Sequence, residues 1–211
     1  MRRSSPWDLG RIVLAAVLIV AMAPPPLWAA TAGRHTPRAD LAYALSGIDD
    51  AVAAEVLWRL GGPDAPRHLA AIVRDGAVNG AIRLRAVAAL HTLGDAAALR
   101  ACTALAADAR LHPRLRWHAA YGAVVLGSRL DAALALRLAT RWVKPNRSGA
   151  APGRHGAASG SASSDVAEAA VRGLRHLPGM AARRLLLAAR GDPRRSVRDA
   201  AHAVLARRQG R

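Results

Sequence analysis

Eight histidines are the side chains of this 211-residue chain with the greatest potential for metal or acid–base chemistry. Two imidazoles bind one metal ion readily when they lie four residues apart on a helix, as in the H-E-x-x-H motif. No two histidines have that spacing, and no C-x-x-C motif occurs. We therefore predict no metal site, with all eight on helix surfaces or partly buried: His35, His68, His91, His112, His118, His155, His176 and His202.

Carboxylates and nucleophiles form no catalytic pattern either. Nucleophile elbows, P-loops and G-x-G-x-x-G runs are absent, and the single cysteine, Cys102, falls inside a helical pattern where a buried core residue is expected. We therefore predict no catalytic residue and no cofactor. Aspartates stand where helices begin or turns occur, which suits N-cap and first-turn charges: Asp49, Asp50, Asp64, Asp95, Asp131, Asp165 and Asp192.

Arginine is the residue type that points most clearly to binding. The chain has 31 basic residues, all but Lys144 being Arg, against 14 acidic ones, for a net charge of +17. Such a charge attracts anionic polymers, membranes and acidic proteins. The alternative is a solvated face whose arginines pair with the turn aspartates. Some arginines lie 33 residues apart, and others lie close to predicted helix starts. Together they form a candidate binding face: Arg67, Arg83, Arg100, Arg116, Arg194, Arg195 and Arg198.

The elements that must position these side chains are predicted to be helices. Apolar residues recur at helical spacing from Ile82 to Leu93, Gly94 suits a left-handed stop, and Asp95 suits the N-cap of the next helix. No segment between 38 and 142 alternates as a strand would. Further helices are predicted over 96–105, 112–126, 131–142, 165–177, 180–190 and 193–208.

A constant period runs through the middle of the chain. The pair Leu-Gly recurs at 60, 93 and 126, with an alanine seven positions before each leucine, which defines a 33-residue period. A fixed period of this length is typical of repeat architectures, in which each unit packs against its neighbours. Each unit is predicted to consist of a helix that ends at the Leu-Gly pair, a second helix and a short turn.

These units resemble short HEAT-like repeats of the kind found in phycobilisome-lyase-type proteins. The residues that carry the resemblance are the run from Arg85 to Asp95 and the unit openings at 113–120 and 192–201. The resemblance covers about 39–142 and 165–208 and implies an all-α, right-handed α-solenoid of about four HEAT-like helical hairpins. It implies an armadillo-like helical architecture and no particular reaction.

The helical pattern is interrupted after Trp142. Residues 143–164 are rich in Gly, Ser and Pro, and past Val143 they contain no apolar side chain larger than alanine, so they are expected to form a flexible linker or loop. The predicted organisation is a repeat block over 33–142, this linker, and C-terminal HEAT-like helices over 165–211. Whether those helices pack on the first block stays open.

The first 32 residues have the pattern of a signal peptide. Arg2 and Arg3 precede twelve apolar residues from Ile12 to Ala23, and an A-x-A site follows at 30–32. Twelve helical residues span about 18 Å, short of a ~30 Å hydrocarbon core. Cleavage would leave a net charge of +15. The alternative is an inner-membrane anchor over 12–30.

The sequence thus predicts an exported, periplasmic or secreted repeat scaffold that binds a protein partner. One alternative is a binder of anionic envelope polymer or membrane headgroups through the Arg-rich face, and another is an enzyme or enzyme-associated subunit. Nucleic acid is disfavoured because export separates the chain from it. The five aromatic residues after the signal segment also sit mostly at core-like positions: Tyr43, Trp58, Trp117, Tyr121 and Trp142.

Overall fold

The computed structural model describes residues 36–47, 52–144 and 163–209. The predicted signal peptide and most of the predicted linker lie outside these ranges. The described chain is all-helical, with no strand in those ranges. Its α-helices are α1 Pro37–Ala44, α2 Ala54–Gly61, α3 Ala65–Arg74, α4 Gly80–Leu93, α5 Ala96–Ala107, α6 Pro113–Leu130, α7 Ala132–Val143, α8 Ser164–Gly173, α9 Met180–Ala189 and α10 Arg195–Gln209, with 3-10 turns at Gly62–Asp64 and Leu174–His176.

Helix ends follow the predicted capping residues closely. Gly94 ends α4 with a φ of 72°, a left-handed conformation that glycine adopts without steric penalty. Asp95 and Asp131 cap α5 and α7, because their carboxylates accept the main-chain N–H groups of Ala98 and Leu134. At the start of α6 this role falls to the imidazole of His112, which the sequence did not suggest.

Helices alternate between two sets of neighbours. The even-numbered helices contact one another in chain order from α2 to α10. Among the odd-numbered helices, α1 contacts α3, α3 contacts α5 and α7 contacts α9. Consecutive helices also pack together, most extensively α5 on α6 and α6 on α7. The described helices therefore form two sets of neighbours, the even-numbered and the odd-numbered helices, which pack against each other.

The interior between the two sets of helices is built from leucine, valine and many alanines. Leu126 is fully buried, Leu93 is 8% exposed and Leu60 is partly buried against the same core. Thr92, one residue from Leu93, is exposed. The three leucines of the sequence period thus face the shared interior, as the period predicts.

The helices on the two sides of residues 145–162 are in direct contact. Helix α8 packs against both α6 and α7, and α10 packs against α8. The C-terminal helices therefore continue the packing of the first block. None of the described helices has the length and apolar character needed to cross a membrane.

Candidate functional site

Two arginines of the predicted binding face bind the protein's own main chain. Arg83 on α4 donates from Nε to the carbonyl oxygen of Val73 at 2.7 Å, and Arg116 on α6 donates to that of Ala106 at 3.4 Å. Val73 and Ala106 are the penultimate residues of α3 and α5, where carbonyl groups lack a partner within their own helix. In both pairs the arginine lies 10 residues after the residue whose carbonyl group accepts the hydrogen bond. The same contact therefore recurs with the period of the sequence.

Arg194 has a similar role at the end of α7. It donates to the carbonyl oxygen of Val143 at 2.7 Å and forms a 2.8 Å ion pair with Asp192, whose side chain is only 3% exposed. Burial alone would raise the pKa of Asp192, but hydrogen bonds from Arg194 and the charges of Arg194 and Arg198 hold that pKa below its usual value. Arg198 donates to the carbonyl oxygens of Asp192 and Pro193.

The other arginines of the predicted face point into solvent. Arg67 on α3 and Arg100 on α5 are exposed. Arg195 at the start of α10 is also exposed and lies 3.6 Å from Asp199. The seven arginines are therefore spread over both sets of helices, and a binding role for them as one row stays a prediction.

A groove on the even-numbered helices brings together side chains from distant parts of the sequence. Its volume is about 540 Å³, within the range of ligand sites. Each of its three helices contributes residues three or four positions apart, and so a single stripe of each helix faces the groove. The lining is Trp117 and Tyr121 from α6, Glu168 and Arg172 from α8, Arg175 from the following 3-10 turn, and Ala203, Val204 and Arg207 from α10.

The α6 wall of the groove is aromatic. The rings of Trp117 and Tyr121 stack with centroids 5.6 Å apart and planes 10° from parallel. The Arg175 guanidinium lies 5.5 Å from the Tyr121 ring centroid, within range of a cation–π interaction. Both aromatic residues are partly buried against the core, which holds the wall in place.

Arg175 is held in a three-residue hydrogen-bond network. Its Nη2 donates to Tyr121 Oη at 2.6 Å, and its Nε donates to His176 Nε2 at 2.8 Å, while Tyr121 Oη lies 3.0 Å from the same imidazole nitrogen. This arrangement requires an unprotonated Nε2. Burial, followed by the nearby charges of Arg175 and Arg129, lowers the pKa of His176 and so favours the required form.

The groove carries an excess of positive charge. Glu168, its single acidic lining residue, pairs with Arg172 at 2.8 Å on the same helix. Arg175 is positioned by neutral partners, and no described residue forms an ion pair or hydrogen bond with the exposed Arg207. The lining therefore has a net charge of +2, with two cations not neutralised by a carboxylate.

Two glycines allow close approach between the helices that carry the groove and their neighbours. A Cβ atom on Gly173 of α8 would lie 2.7 Å from Cβ of Val124 on α6, so only glycine allows this approach. Deeper in α6, Gly122 leaves space for the ring of His91 from α4, since a Cβ there would lie 1.7 Å from His91 Nε2. That nitrogen is buried without a hydrogen-bond partner.

The protonation of His91 follows from this environment. Burial is the main cause that lowers its pKa to about 4; the charge of His118 adds to the effect and a hydrogen bond to the His118 main chain opposes it. His118 itself has a lowered pKa, through burial and then Arg114, and its ring packs edge-on against Trp117. Neutral imidazoles therefore lie behind the aromatic wall.

The groove lining carries groups that are suited to binding. It offers guanidinium donors, two aromatic rings and the aliphatic side chain of Val204. Within the described ranges, no cluster of three His, Cys, Asp or Glu side chains could hold a metal ion. Cys102 is buried in α5 as predicted, and burial raises the pKa of its thiol to about 12.

The groove was not predicted from the sequence. The sequence places the five aromatic residues after the signal segment mostly at core-like positions. Trp142 is buried, and Trp117 and Tyr121 are partly buried against the core while they line the groove. Tyr43 and Trp58 do not follow that expectation, since their exposed fractions are 83% and 37%. The available signal was the four-residue spacing of Trp117–Tyr121, and that of Glu168–Arg172, each on one helix.

No protein-family model matches the chain, and comparison with curated proteins and with solved structures gives no significant match to either. The functional conclusion therefore rests on the geometry of the groove and on the sequence patterns.

Proposed function

We propose that this protein is an exported repeat scaffold that binds a partner protein through the face formed by α6, α8 and α10. The observation that carries the proposal is the composition of the groove. Trp, Tyr and Arg are the residue types most enriched in the energetic centres of protein interfaces, and this groove has one Trp, one Tyr and three Arg. By contrast, the exposed Arg67 and Arg100 contact no aromatic ring within the described part of the chain.

Rigidity of the groove supports the same proposal. The aromatic wall is anchored in the core, and Arg175 is oriented by Tyr121 and His176 before any partner arrives. Side chains that are already ordered lose little conformational entropy on binding, which favours affinity. A preformed surface of this kind suits a scaffold.

We propose that the architecture is a right-handed solenoid of HEAT-like hairpins. Two observations support this proposal: the succession of contacts among even-numbered helices, and the recurrence of the Arg83–Val73 contact as Arg116–Ala106. The signal pattern of residues 1–32 supports export, with a membrane anchor as its alternative. N-terminal sequencing of the native protein should begin between Ala30 and Gly33 if the signal is cleaved.

The scaffold proposal can be tested by photo-crosslinking in the producing cells. A photoreactive amino acid at Ala203, in the groove, should give a discrete protein adduct. The same amino acid at Ala188 should give none, because Ala188 is exposed on α9 and does not line the groove. Absence of an adduct at 203, or identical adducts at both positions, would contradict the proposal.

A second candidate is binding of anionic envelope polymer or membrane headgroups. The net charge of +17 and the exposed Arg67 and Arg100 favour it. Such binding depends on summed charge and should weaken steeply as salt is raised from about 0.1 to about 0.5 M, since the Debye length then falls well below ~10 Å. An interface that includes the aromatic wall should weaken less, because its apolar contacts are not screened by salt.

A further inference from the structure

We infer that the groove between α6, α8 and α10 recognises an acidic peptide segment of the partner, with carboxylates at Arg175 and Arg207 and an apolar side chain against Trp117. This inference rests on the proposed protein-binding function and specifies the chemistry of the partner. It is carried by charge complementarity and by the aromatic wall that lies next to Arg175.

The cations of the groove differ in their availability. Arg172 is already paired with Glu168. Arg207 has no partner among the described residues, and no described residue accepts a hydrogen bond from Nη1 of Arg175. Guanidinium groups bind carboxylates through paired, charge-assisted hydrogen bonds. Two carboxylates can therefore be bound without displacing any existing contact of the protein.

The two available cations stand on different sides of the groove. Arg175 lies next to the aromatic wall of α6 and Arg207 stands on α10, with α8 in contact with both helices. Packed helix axes are about 8–10 Å apart, so the groove spans roughly 16–20 Å from α6 to α10. An extended peptide rises about 3.3 Å per residue and crosses that distance in about six residues. These dimensions suit a short peptide that carries acidic side chains together with an apolar one.

The chain's own neighbouring segment cannot neutralise these cations. Residues 145–162, which connect α7 to α8, contain arginines and a histidine and neither Asp nor Glu. This segment therefore offers no carboxylate that would compete with those of a partner, and the cross-linking position in the groove addresses the same surface.

The test uses the full chain and a fluorescent nine-residue peptide with glutamates on both sides of a central leucine. The control peptide has glutamine in place of every glutamate. Ala203→Glu places a carboxylate in the groove at an exposed helical position, and Ala188→Glu makes the same change on α9. Arg207→Gln and Arg100→Gln form a second matched pair, since both arginines are exposed and each change removes one charge. Far-UV circular dichroism checks that all variants are folded.

We expect Ala203→Glu to weaken binding of the glutamate peptide about tenfold and Arg207→Gln about fivefold, with the two controls within twofold of the wild type. Equal losses in the groove and control variants would overturn the inference, because they would show binding to overall charge. Equal binding of the glutamine peptide would overturn it as well. A polyuronate or anionic vesicles could also displace the peptide at a lower concentration than the peptide needs for binding. If Ala203→Glu blocks the binding of that polymer or of those vesicles, the inference is overturned.

Failure of this inference can be distinguished from failure of the scaffold proposal. In one outcome, position 203 cross-links a protein but the glutamate peptide does not bind even at millimolar concentration. The partner is then a protein that is not recognised through acidic residues, so the inference is overturned while the scaffold proposal stands. If no adduct forms at 203, the scaffold proposal itself fails.

Discussion

The arginines at the starts of α4, α6 and α10 differ from the arginines of the groove in what their guanidinium groups contact. Arg83 and Arg116 donate to carbonyl oxygens at the ends of the helices just before their own, α3 and α5, and Arg194 donates to the last residue of α7. Arg207 contacts no described residue through an ion pair or hydrogen bond. The two groups have the same charge and side chain. The difference shows that arginines stabilise helix packing at the helix starts, whereas in the groove an arginine stays available to bind a partner.

The physical reason is the supply of main-chain acceptors. The last carbonyl groups of a helix have no partner within that helix, so a guanidinium within reach binds them. Arg172 and Arg207 of the groove also lie in the last turns of their helices, α8 and α10, but no described main-chain carbonyl accepts a hydrogen bond from either of them. Side chains there bind each other, as Arg172 binds Glu168, or stay available to a partner.

The comparison predicts its largest effect at Arg194. Arg194→Ala should destabilise the protein by about 3–5 kcal/mol, because it leaves the buried carboxylate of Asp192 without its ion pair. Arg195→Ala, one residue away and exposed, should change stability by no more than about 0.5 kcal/mol. Urea denaturation of the two variants measures both values. Similar values for both variants would mean that Arg194 is not a packing residue.

The shared core beneath both regions gives the next effect. Leu93→Ala should cost about 2–5 kcal/mol, because it removes a buried side chain from the interior between the two sets of helices. Thr92→Ala, at the exposed neighbouring position, should stay within about 0.5 kcal/mol. Chemical denaturation measures the free energy of unfolding of both variants. Equal small effects would show that the register of the sequence period does not define the core.

Acid should weaken the packing behind the aromatic wall. The folded-state pKa of His91, about 4, lies below the ordinary value of 6.5, so between these pH values the unfolded chain binds a proton that the folded chain does not. Stability is therefore fully present above pH 6.5 and falls as the pH drops towards 4, by up to about 3 kcal/mol from this group.

Denaturation midpoints at several pH values between 7 and 4 test this loss. His91→Leu should make the dependence on pH much shallower, whereas substitution of the exposed His202 by glutamine should leave it unchanged. Asp192 acts in the same direction only at lower pH, since its pKa is lowered from 3.8. An unchanged slope in His91→Leu would mean that another group is responsible.

The smallest effect is expected at the recurring carbonyl contact. Arg83→Leu removes the hydrogen bond to Val73 and should destabilise the protein by about 1 kcal/mol. Arg100→Leu, at an exposed position, should change stability by no more than about 0.5 kcal/mol. Differential scanning calorimetry resolves the pair, and a larger effect at Arg100 than at Arg83 would contradict a packing role for Arg83.

The sequence by itself determined the helical class and most helix boundaries. Apolar spacing predicted α4 to α7 to within a few residues, and Gly94 and Asp95 identified a stop and a cap. These signals are local, because a helix needs only apolar residues at the right spacing and partners for its terminal groups. The sequence period also placed Leu93 and Leu126 in the interior.

Only the tertiary structure decided which arginines are available for binding. Arg83 and Arg100 look alike in the sequence, and the carbonyl groups that distinguish them come from other helices. The groove likewise joins Trp117 to Arg207, which are far apart in the sequence, through the packing of α6, α8 and α10. Local periodicity predicts which face of a helix is buried, whereas the neighbours that meet its other faces depend on contacts between helices distant in the chain.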